Sequence, residues 1–215
     1  MIEVDPDLDP RCLPLAWMLG RWEGAGVGEH PDGTSYRFGQ ELVIGHDGRA
    51  FLSFESSSWV LDDEGRAVGV GPRETGYVRP VEPEPAAGEG AGAAGAAAAS
   101  ADGEEAAHDT ELLLAHADGL VEVWLGRREG ARLQLATDAV VRVAGAPGRA
   151  SGNRLYGLVD GDLLWAWDAG VDGRLASVMA ARLKKVGPPP AALVPPGLAG
   201  PTTAGSGRDE PPADT

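Results

Sequence analysis

The chain has 215 residues, with 18 Lys and Arg against 33 Asp and Glu, and a formal net charge of −15. This acidic balance argues against a nucleic-acid partner, because proteins that grip phosphate backbones present a basic face. The sequence also lacks the ~20 consecutive apolar residues of a membrane span, and its acidic N-terminus is unlike a signal peptide, so we expect a cytoplasmic protein with no membrane partner.

The beginning of the chain predicts a flexible segment, residues 1–12, followed by one or two helical turns between Leu13 and Leu19. Cys12 is the only cysteine. It has no partner for an internal disulfide and no neighbour at zinc-site spacing. We therefore interpret it as a buried or idle thiol.

The following segments alternate between apolar and polar residues and are separated by Gly or Asp turns, which is the pattern of half-buried strands. The turn signals include Asp62-Asp63-Glu64-Gly65, Asp160-Gly161 and Asp172-Gly173. About ten short antiparallel strands predict an all-β fold that closes into a barrel or stacks as a sandwich. We place one domain at residues 13–186.

Two segments have compositions that cannot form a core. Residues 85–107 contain 12 Ala and 5 Gly in 23 positions, and we predict a disordered loop that interrupts the domain. Residues 187–215 contain 8 Pro and 5 Gly in 29 positions and predict a disordered tail. Both are interpreted as passive spacers.

A GxWxGxG pattern opens the first predicted strand, and its segment comprises Gly20, Arg21, Trp22, Glu23, Gly24, Ala25 and Gly26. It is followed in order by Gly28-Glu29-His30-Pro31, Glu74-Thr75-Gly76-Tyr77, Leu114-Ala115-His116, Arg154-x-Tyr156 and Ala180-Ala181-x-Leu183. This ordered set resembles the nitrobindin family. The pattern alone would be weak, since other small barrels also carry a GxW.

The resemblance implies a compact antiparallel barrel, similar to fatty-acid-binding proteins, that holds ferric haem b in one open end. It also implies nitric oxide binding and isomerisation of peroxynitrite to nitrate. In that family one histidine holds the iron, just before a Leu-Ala-Ala-x-Leu run. Here the run begins at Met179, and the residue before it is Val178. Valine has no lone pair, so it cannot coordinate iron.

Two further positions differ in character from the family. Asp168 stands where relatives have an apolar residue, and Asp32 stands where the family tends to place a threonine near the haem. Together with His30 and Val178, they are our candidate pocket residues. None is assigned a catalytic role, and no metal ligand is assigned.

The four histidines are the possible substitutes for the missing ligand. His30, beside Pro31, is the best of them, whereas His46 and His116 stand beside turn glycines as hairpin caps and His108 borders the Ala-rich segment. Met179 could take over only through a bulge, because successive strand side chains point to opposite faces.

Alternation along the last strand conflicts with a pocket-facing Val178. It puts Val178 on the same side as the charged residues Arg174, Arg182 and Lys184, which would be the outer side of the barrel. We expect Ala176, Val178 and Ala180 to line the pocket, with the charged side chains reaching water beyond each end.

Two functions remain open. We favour a ferric nitrobindin-like barrel without the axial histidine, which binds a small apolar ligand or retains none, needs no cofactor and is not an enzyme. The alternative is a haem b-dependent peroxynitrite isomerase and nitric oxide-binding protein, with iron held by His30, by water or by no protein ligand. The oligomeric state is not defined by the sequence.

Overall fold

A computed structural model describes residues 5–30, 32–81, 108–148, 151–171 and 174–188. It contains one 3₁₀-helix and ten antiparallel strands that form a closed barrel. The predicted closed all-β barrel is confirmed. In the described part of the chain, no helix is long and apolar enough to cross a membrane. The predicted loop 85–107 and all but the first two residues of the tail lie outside the described residues.

Each strand pairs with its neighbours in sequence, and β1 also pairs with β10, so every strand has a partner on both sides. The strands are β1 (Gly20–Glu29), β2 (Ser35–Gly45), β3 (Leu52–Leu61), β4 (Ala67–Pro80), β5 (Thr110–His116), β6 (Leu120–Glu129), β7 (Arg132–Arg142), β8 (Gly152–Val159), β9 (Asp162–Val171) and β10 (Arg174–Gly187).

The 3₁₀-helix, Pro10–Met18, covers one end of the barrel, which we call the closed end. The Asp9 side chain caps it by accepting a hydrogen bond from the Arg11 amide. Trp22 of the GxWxGxG segment is buried beneath it, and the Trp22 indole donates to the Met18 carbonyl at 2.8 Å. A large apolar ring with its one donor satisfied is a stable plug for this end.

The packed chain begins earlier than the predicted boundary at residue 12. The helix starts at Pro10 rather than Leu13, and Leu8 and Cys12 are both buried in the core. Residues 8–12 are therefore packed rather than flexible as predicted. They pack because the closed end of a barrel needs an apolar cover.

Cys12 has no accessible surface, and burial raises the pKa of its thiol to about 11, with a smaller contribution from the Asp9 charge. We expect a disulfide reagent at mildly alkaline pH to leave the folded protein unmodified and to label one thiol per chain in denaturing urea. The thiolate is the reactive species and here is both scarce and shielded. Rapid labelling of the folded chain would contradict this burial, and Cys12→Ser provides the blank.

Gly26, the last glycine of the GxWxGxG segment, and Gly28, two residues beyond it, leave room on the inner side of β1 for rings from β2. A Cβ on Gly26 would lie 2.5 Å from the Phe38 ring, and one on Gly28 would lie 2.4 Å from the Tyr36 ring. These contacts would be too close for any side chain at either glycine. Gly26 and Gly28 are thus positions where aromatic rings approach the backbone, whereas a Cβ on Gly24 would meet the backbone of Arg182 in β10.

The predicted turn at Asp160-Gly161 joins β8 to β9. Both residues have positive φ, 54° and 86°, as a tight two-residue hairpin requires. Asp62–Gly65 joins β3 to β4, and Ala117–Gly119 joins β5 to β6. Asp172-Gly173 falls outside the described residues.

Candidate ligand site in the barrel

The barrel interior opens at the end opposite the 3₁₀-helix, which we call the open end. On β9, Leu163 near the closed end is 0% exposed whereas Trp167 is 9% exposed. On β10, Leu183 is 0% exposed whereas Met179 is 8% exposed. On β9 and β10 the inner-wall side chains therefore become slightly more accessible toward the open end, where a ligand could enter.

A β-bulge shapes this part of the inner wall. Ser177 pairs with Asp168 and Met179 with Trp167, so Val178 is the extra residue between them. The side chain of Met179 is buried, and Val178 is partly buried and packs against the core cluster. A bulge lets two consecutive residues depart from strict alternation, so it brings both Val178 and Met179 to the core.

The bulge also corrects the predicted lining of the pocket. Ala180 does not line the inner wall: it borders a trough on the outer surface, and its neighbour Ala181 is buried in the core. Inward packing of Val178 therefore comes from an irregular backbone rather than from a regular row of small residues.

A series of aromatic contacts runs from the open end into the core. His30 is exposed and stacks on Tyr36, with ring centroids 4.5 Å apart. Tyr36 contacts Phe38 at 6.3 Å, and Phe38 contacts Trp165 at 6.2 Å. The indole of Trp165 donates to Gln40 at 2.7 Å. His30 thus lies on the rim, stacked on a phenol ring.

The other histidines lie elsewhere. His46 follows β2 at the closed end, 3.4 Å from an Asp5 oxygen, and His108 precedes β5 with Glu111 at 3.4 Å. His116 ends β5, but its side chain does not cap the hairpin as predicted. It is buried inside the barrel between two carboxylates.

The two aspartates predicted to face the pocket have other roles. Asp32 is exposed and accepts hydrogen bonds from the Thr34 hydroxyl and amide, which hold the pKa of its carboxyl below the usual value. It stabilises the turn between β1 and β2. Asp168 lies on the outer face of β9, opposite to the inner face on which Trp167 and Ala169 are buried. Neither aspartate therefore lines the pocket, which corrects both predictions.

The interior also holds a group of charged side chains that the sequence interpretation missed. We call it the inner ion cluster: Glu74 from β4, His116 from β5, Glu122 from β6 and Arg154 from β8. Arg154 donates to both Glu74 oxygens, at 3.1 and 2.5 Å. The Glu122 carboxylate lies 2.9 Å from His116 Nε2 and accepts from the Trp124 indole at 3.1 Å.

Aromatic rings surround this cluster. The Arg154 guanidinium lies over the Trp124 ring at 5.0 Å and near the Trp167 ring at 5.8 Å. It also donates to the Tyr156 hydroxyl at 3.3 Å. Burial alone would lower the pKa of Arg154, but the charge of Glu74 and the hydrogen bonds to Glu74 and Tyr156 outweigh it and raise that pKa. The guanidinium is thus a permanent buried cation.

The cluster is an ion-pair network rather than a metal site. Glu122 lies at His116 Nε2, whereas Glu74 lies 3.6 Å from Nδ1 on the other side of the ring. One ion could not be reached from both ring nitrogens. Within the described residues, no group of three or more His, Cys, Asp or Glu side chains is arranged to hold a metal.

The donors near the bulge do not match a histidine-ligated haem. Val178 offers no lone pair, Met179 offers a thioether, and the rim imidazole of His30 is stacked on Tyr36. Of these groups only an imidazole is the nitrogen ligand that ferric haem takes in a five-coordinate site. The residues present therefore do not fit this mode of haem binding.

Comparison with known proteins shows which family and which solved structure this barrel is similar to. The family model for a "THAP4-like, heme-binding beta-barrel domain" matches residues 11–185. A solved structure from M. tuberculosis, Rv2717c, superposes with a TM-score of 0.60 over 83% of this chain and 98% of that chain, at 23% identity. That similarity supports the fold.

Two curated relatives are similar over most of their length. A "Ferric nitrobindin-like protein" from Kineococcus radiotolerans is 44% identical over 81% of this chain and 92% of its own. A "Peroxynitrite isomerase" from a Nocardioides species is 39% identical over 80% of this chain and 90% of its own. With the family model covering residues 11–185, nearly the whole barrel, these relatives show that the chain belongs to the nitrobindin family.

Proposed function

We propose that this protein is a nitrobindin-family barrel that lacks the axial haem histidine and binds a small apolar molecule at its open end. The observation that carries the proposal is the bulge in β10, which packs the aliphatic Val178 against the core where the resemblance expects the histidine. A haem packed there would have no Fe–N bond from that strand, and a bond of this kind fixes both the position and the redox behaviour of the iron.

The character of the inner wall supports an apolar ligand. Trp165, Trp167, Ala169 and Met179 supply large apolar surfaces that retain some access at the open end. Binding sites for small molecules are usually apolar concavities with a few polar groups. Arg154 and Glu74 are paired by two hydrogen bonds and offset each other's charge, so they add little attraction for a charged molecule.

The alternative function keeps haem b and peroxynitrite isomerisation, as the printed name of the Nocardioides relative suggests. The observation that favours it is the position of His30 on the rim of the open end. His116, at the end of β5, also lies toward this end but is buried between Glu74 and Glu122. To act as a ligand, the His30 imidazole would have to leave its stacking contact with Tyr36.

The proposal is tested by titrating the full chain with prodan, a neutral naphthalene dye whose emission rises in apolar surroundings. We expect an emission increase that Ala169→Trp reduces at least about tenfold, because the indole would fill the inner wall near the open end. The matched control is Ala115→Trp, an exposed alanine of β5, which should bind the dye like the native chain.

Two results would overturn the proposal. One is an emission increase that Ala169→Trp leaves unchanged while circular dichroism shows a folded barrel. The other is tight uptake of ferric haem by the native chain with a nitrogen-ligated spectrum that His30→Ala abolishes, which would establish the haem alternative.

A further inference from the structure

One hydrogen-bond donor of the inner ion cluster has no acceptor. Arg154 is 3% exposed, and its Nη1 and Nη2 atoms donate to Glu74 and to the Tyr156 hydroxyl. Its Nε is also buried, and no atom of the residues that the structure describes accepts a hydrogen bond from it. A buried N–H without an acceptor is unfavourable, because it has lost water and gained no partner in exchange. This donor is therefore available to a molecule that enters the barrel.

The donor lies on the wall that the proposed ligand site uses. In the strand registers Arg154 of β8 is opposite Trp167 of β9, and Trp167 is opposite Met179 of β10. All three side chains are buried inside the barrel, and those of Trp167 and Met179 keep some access. The guanidinium lies 5.8 Å from the centre of the Trp167 ring. A ligand packed on Trp167 and Met179 would therefore lie beside Arg154.

Other donors of the inner wall are used by the protein itself. The Trp124 indole donates to Glu122 at 3.1 Å, and the Trp165 indole donates to Gln40 at 2.7 Å. The Gln40 amide in turn donates to the Ser56 hydroxyl at 2.9 Å. A ligand would have to break one of these hydrogen bonds to use its donor, whereas the Nε of Arg154 requires no such exchange.

The charge balance of the cluster selects against an anionic ligand. Arg154 brings one positive charge, whereas Glu74 and Glu122 bring two negative charges when both are ionised. His116 lies between the two carboxylates, and even in its protonated form it only balances the second one. No excess positive charge is left for a carboxylate on the ligand, and burial of an uncompensated charge is unfavourable. The acceptor that fits is therefore neutral.

We propose, on the basis of the function proposed above, that the ligand is an apolar molecule with one neutral carbonyl oxygen, a ketone or an ester, which accepts a hydrogen bond from Arg154 Nε. Arg154 then determines the specificity of the site. A hydrocarbon of the same shape would leave the N–H without an acceptor, and this difference corresponds to about tenfold in affinity. Sites that hydrogen-bond a ligand discriminate strongly against analogues that lack the polar group.

The test compares two ligands of nearly equal shape, 2-acetylnaphthalene and 2-ethylnaphthalene, as competitors of prodan bound to the full chain. We expect the ketone to bind at least about tenfold more tightly, although it is the more water-soluble of the two. The anionic analogue 2-naphthoate should bind more weakly than the ketone. The carbonyl stretching band of bound 2-acetylnaphthalene should lie at lower wavenumber than in a hydrocarbon solvent, because a hydrogen bond weakens the C=O bond.

The double variant Glu74→Met with Arg154→Met removes the donor together with the carboxylate paired to it, and replaces both with apolar side chains. Once circular dichroism shows a folded barrel, it should bind the ketone no more tightly than the hydrocarbon and lose the shift of the carbonyl band. Arg142→Met is the matched control at an exposed arginine of β7, and it should keep the native preference.

The two proposals fail in different ways. If the emission increase of prodan is unchanged by Ala169→Trp, the dye is not inside the barrel and both proposals fail. If Ala169→Trp reduces it but the native chain binds the two naphthalenes equally or prefers 2-naphthoate, only the role of Arg154 is overturned. A folded double variant that keeps the native preference also overturns that role. The comparison in the native chain decides the matter even if the double variant does not fold.

Discussion

Replacing Arg154 with methionine is expected to lower the free energy of unfolding by about 3–5 kcal/mol, a large part of the stability of a single domain. The guanidinium is the fixed cation of the inner ion cluster, and it makes two hydrogen bonds to Glu74. Its removal leaves the carboxylates of Glu74 and Glu122 inside the barrel with less compensating charge. Urea denaturation, followed by the fluorescence of the tryptophans, measures the loss.

Arg142→Met is the matched control, because Arg142 is exposed near the end of β7. A surface substitution of this kind usually changes stability by less than about 0.5 kcal/mol. The double variant Glu74→Gln with Arg154→Met should recover part of the loss, since it removes one of the uncompensated charges. If Arg154→Met unfolds like the control, the cluster is not the interior ion network that the distances indicate.

The barrel could be predicted from the sequence because its two main signals are local. Alternation marks the strands, and Asp-Gly turns separate them. The GxWxGxG segment then added the resemblance, and the structure shows part of its physical basis in Trp22 under the helix and in the Phe38 ring packed against Gly26. Closure of β1 on β10 is a long-range pairing that alternation does not specify, so it depended on the resemblance.

The sequence interpretation did not predict the inner ion cluster, although the alternation of apolar and polar residues contains a signal for it. Glu122 stands between Leu120 and Trp124 in the inward alternation of β6, and Arg154 precedes Tyr156 in that of β8. Charged residues in an apolar row predict a buried pair, but only tertiary structure shows which strands bring the partners together. His116 was interpreted as a cap because its neighbour in sequence is a turn, and its partners lie on other strands.

The bulge at Val178 could not be predicted from the sequence, because an extra residue in one strand cannot be recognised by counting alternate positions. Strict alternation from Leu183 reaches Ala181 and Met179 on the inner face, and the inserted residue then brings Val178 to the core as well. Asp168 was assigned to the pocket by counting back along the sequence, and alternation on β9 instead turns it outward.

Val178→His is expected to strengthen ferric haem binding, with a five-coordinate, nitrogen-ligated Soret spectrum and at least a tenfold gain in haem affinity over the native chain. The bulge already packs the side chain at this position against the core, so an imidazole there would face the same interior. Haem titration of the apoprotein, followed by absorbance, measures the gain.

Ala180→His is the matched control, since that position borders the outer trough and an imidazole there cannot reach the interior. Met179→Leu in the Val178→His background removes the neighbouring thioether and should leave the spectrum unchanged. A spectrum of Val178→His indistinguishable from that of Ala180→His would mean that the bulge does not present this position to a haem. The loss of a single ligand would then no longer account for the difference between this barrel and a haem-binding one. A positive result would locate that difference in one side chain on an otherwise competent wall.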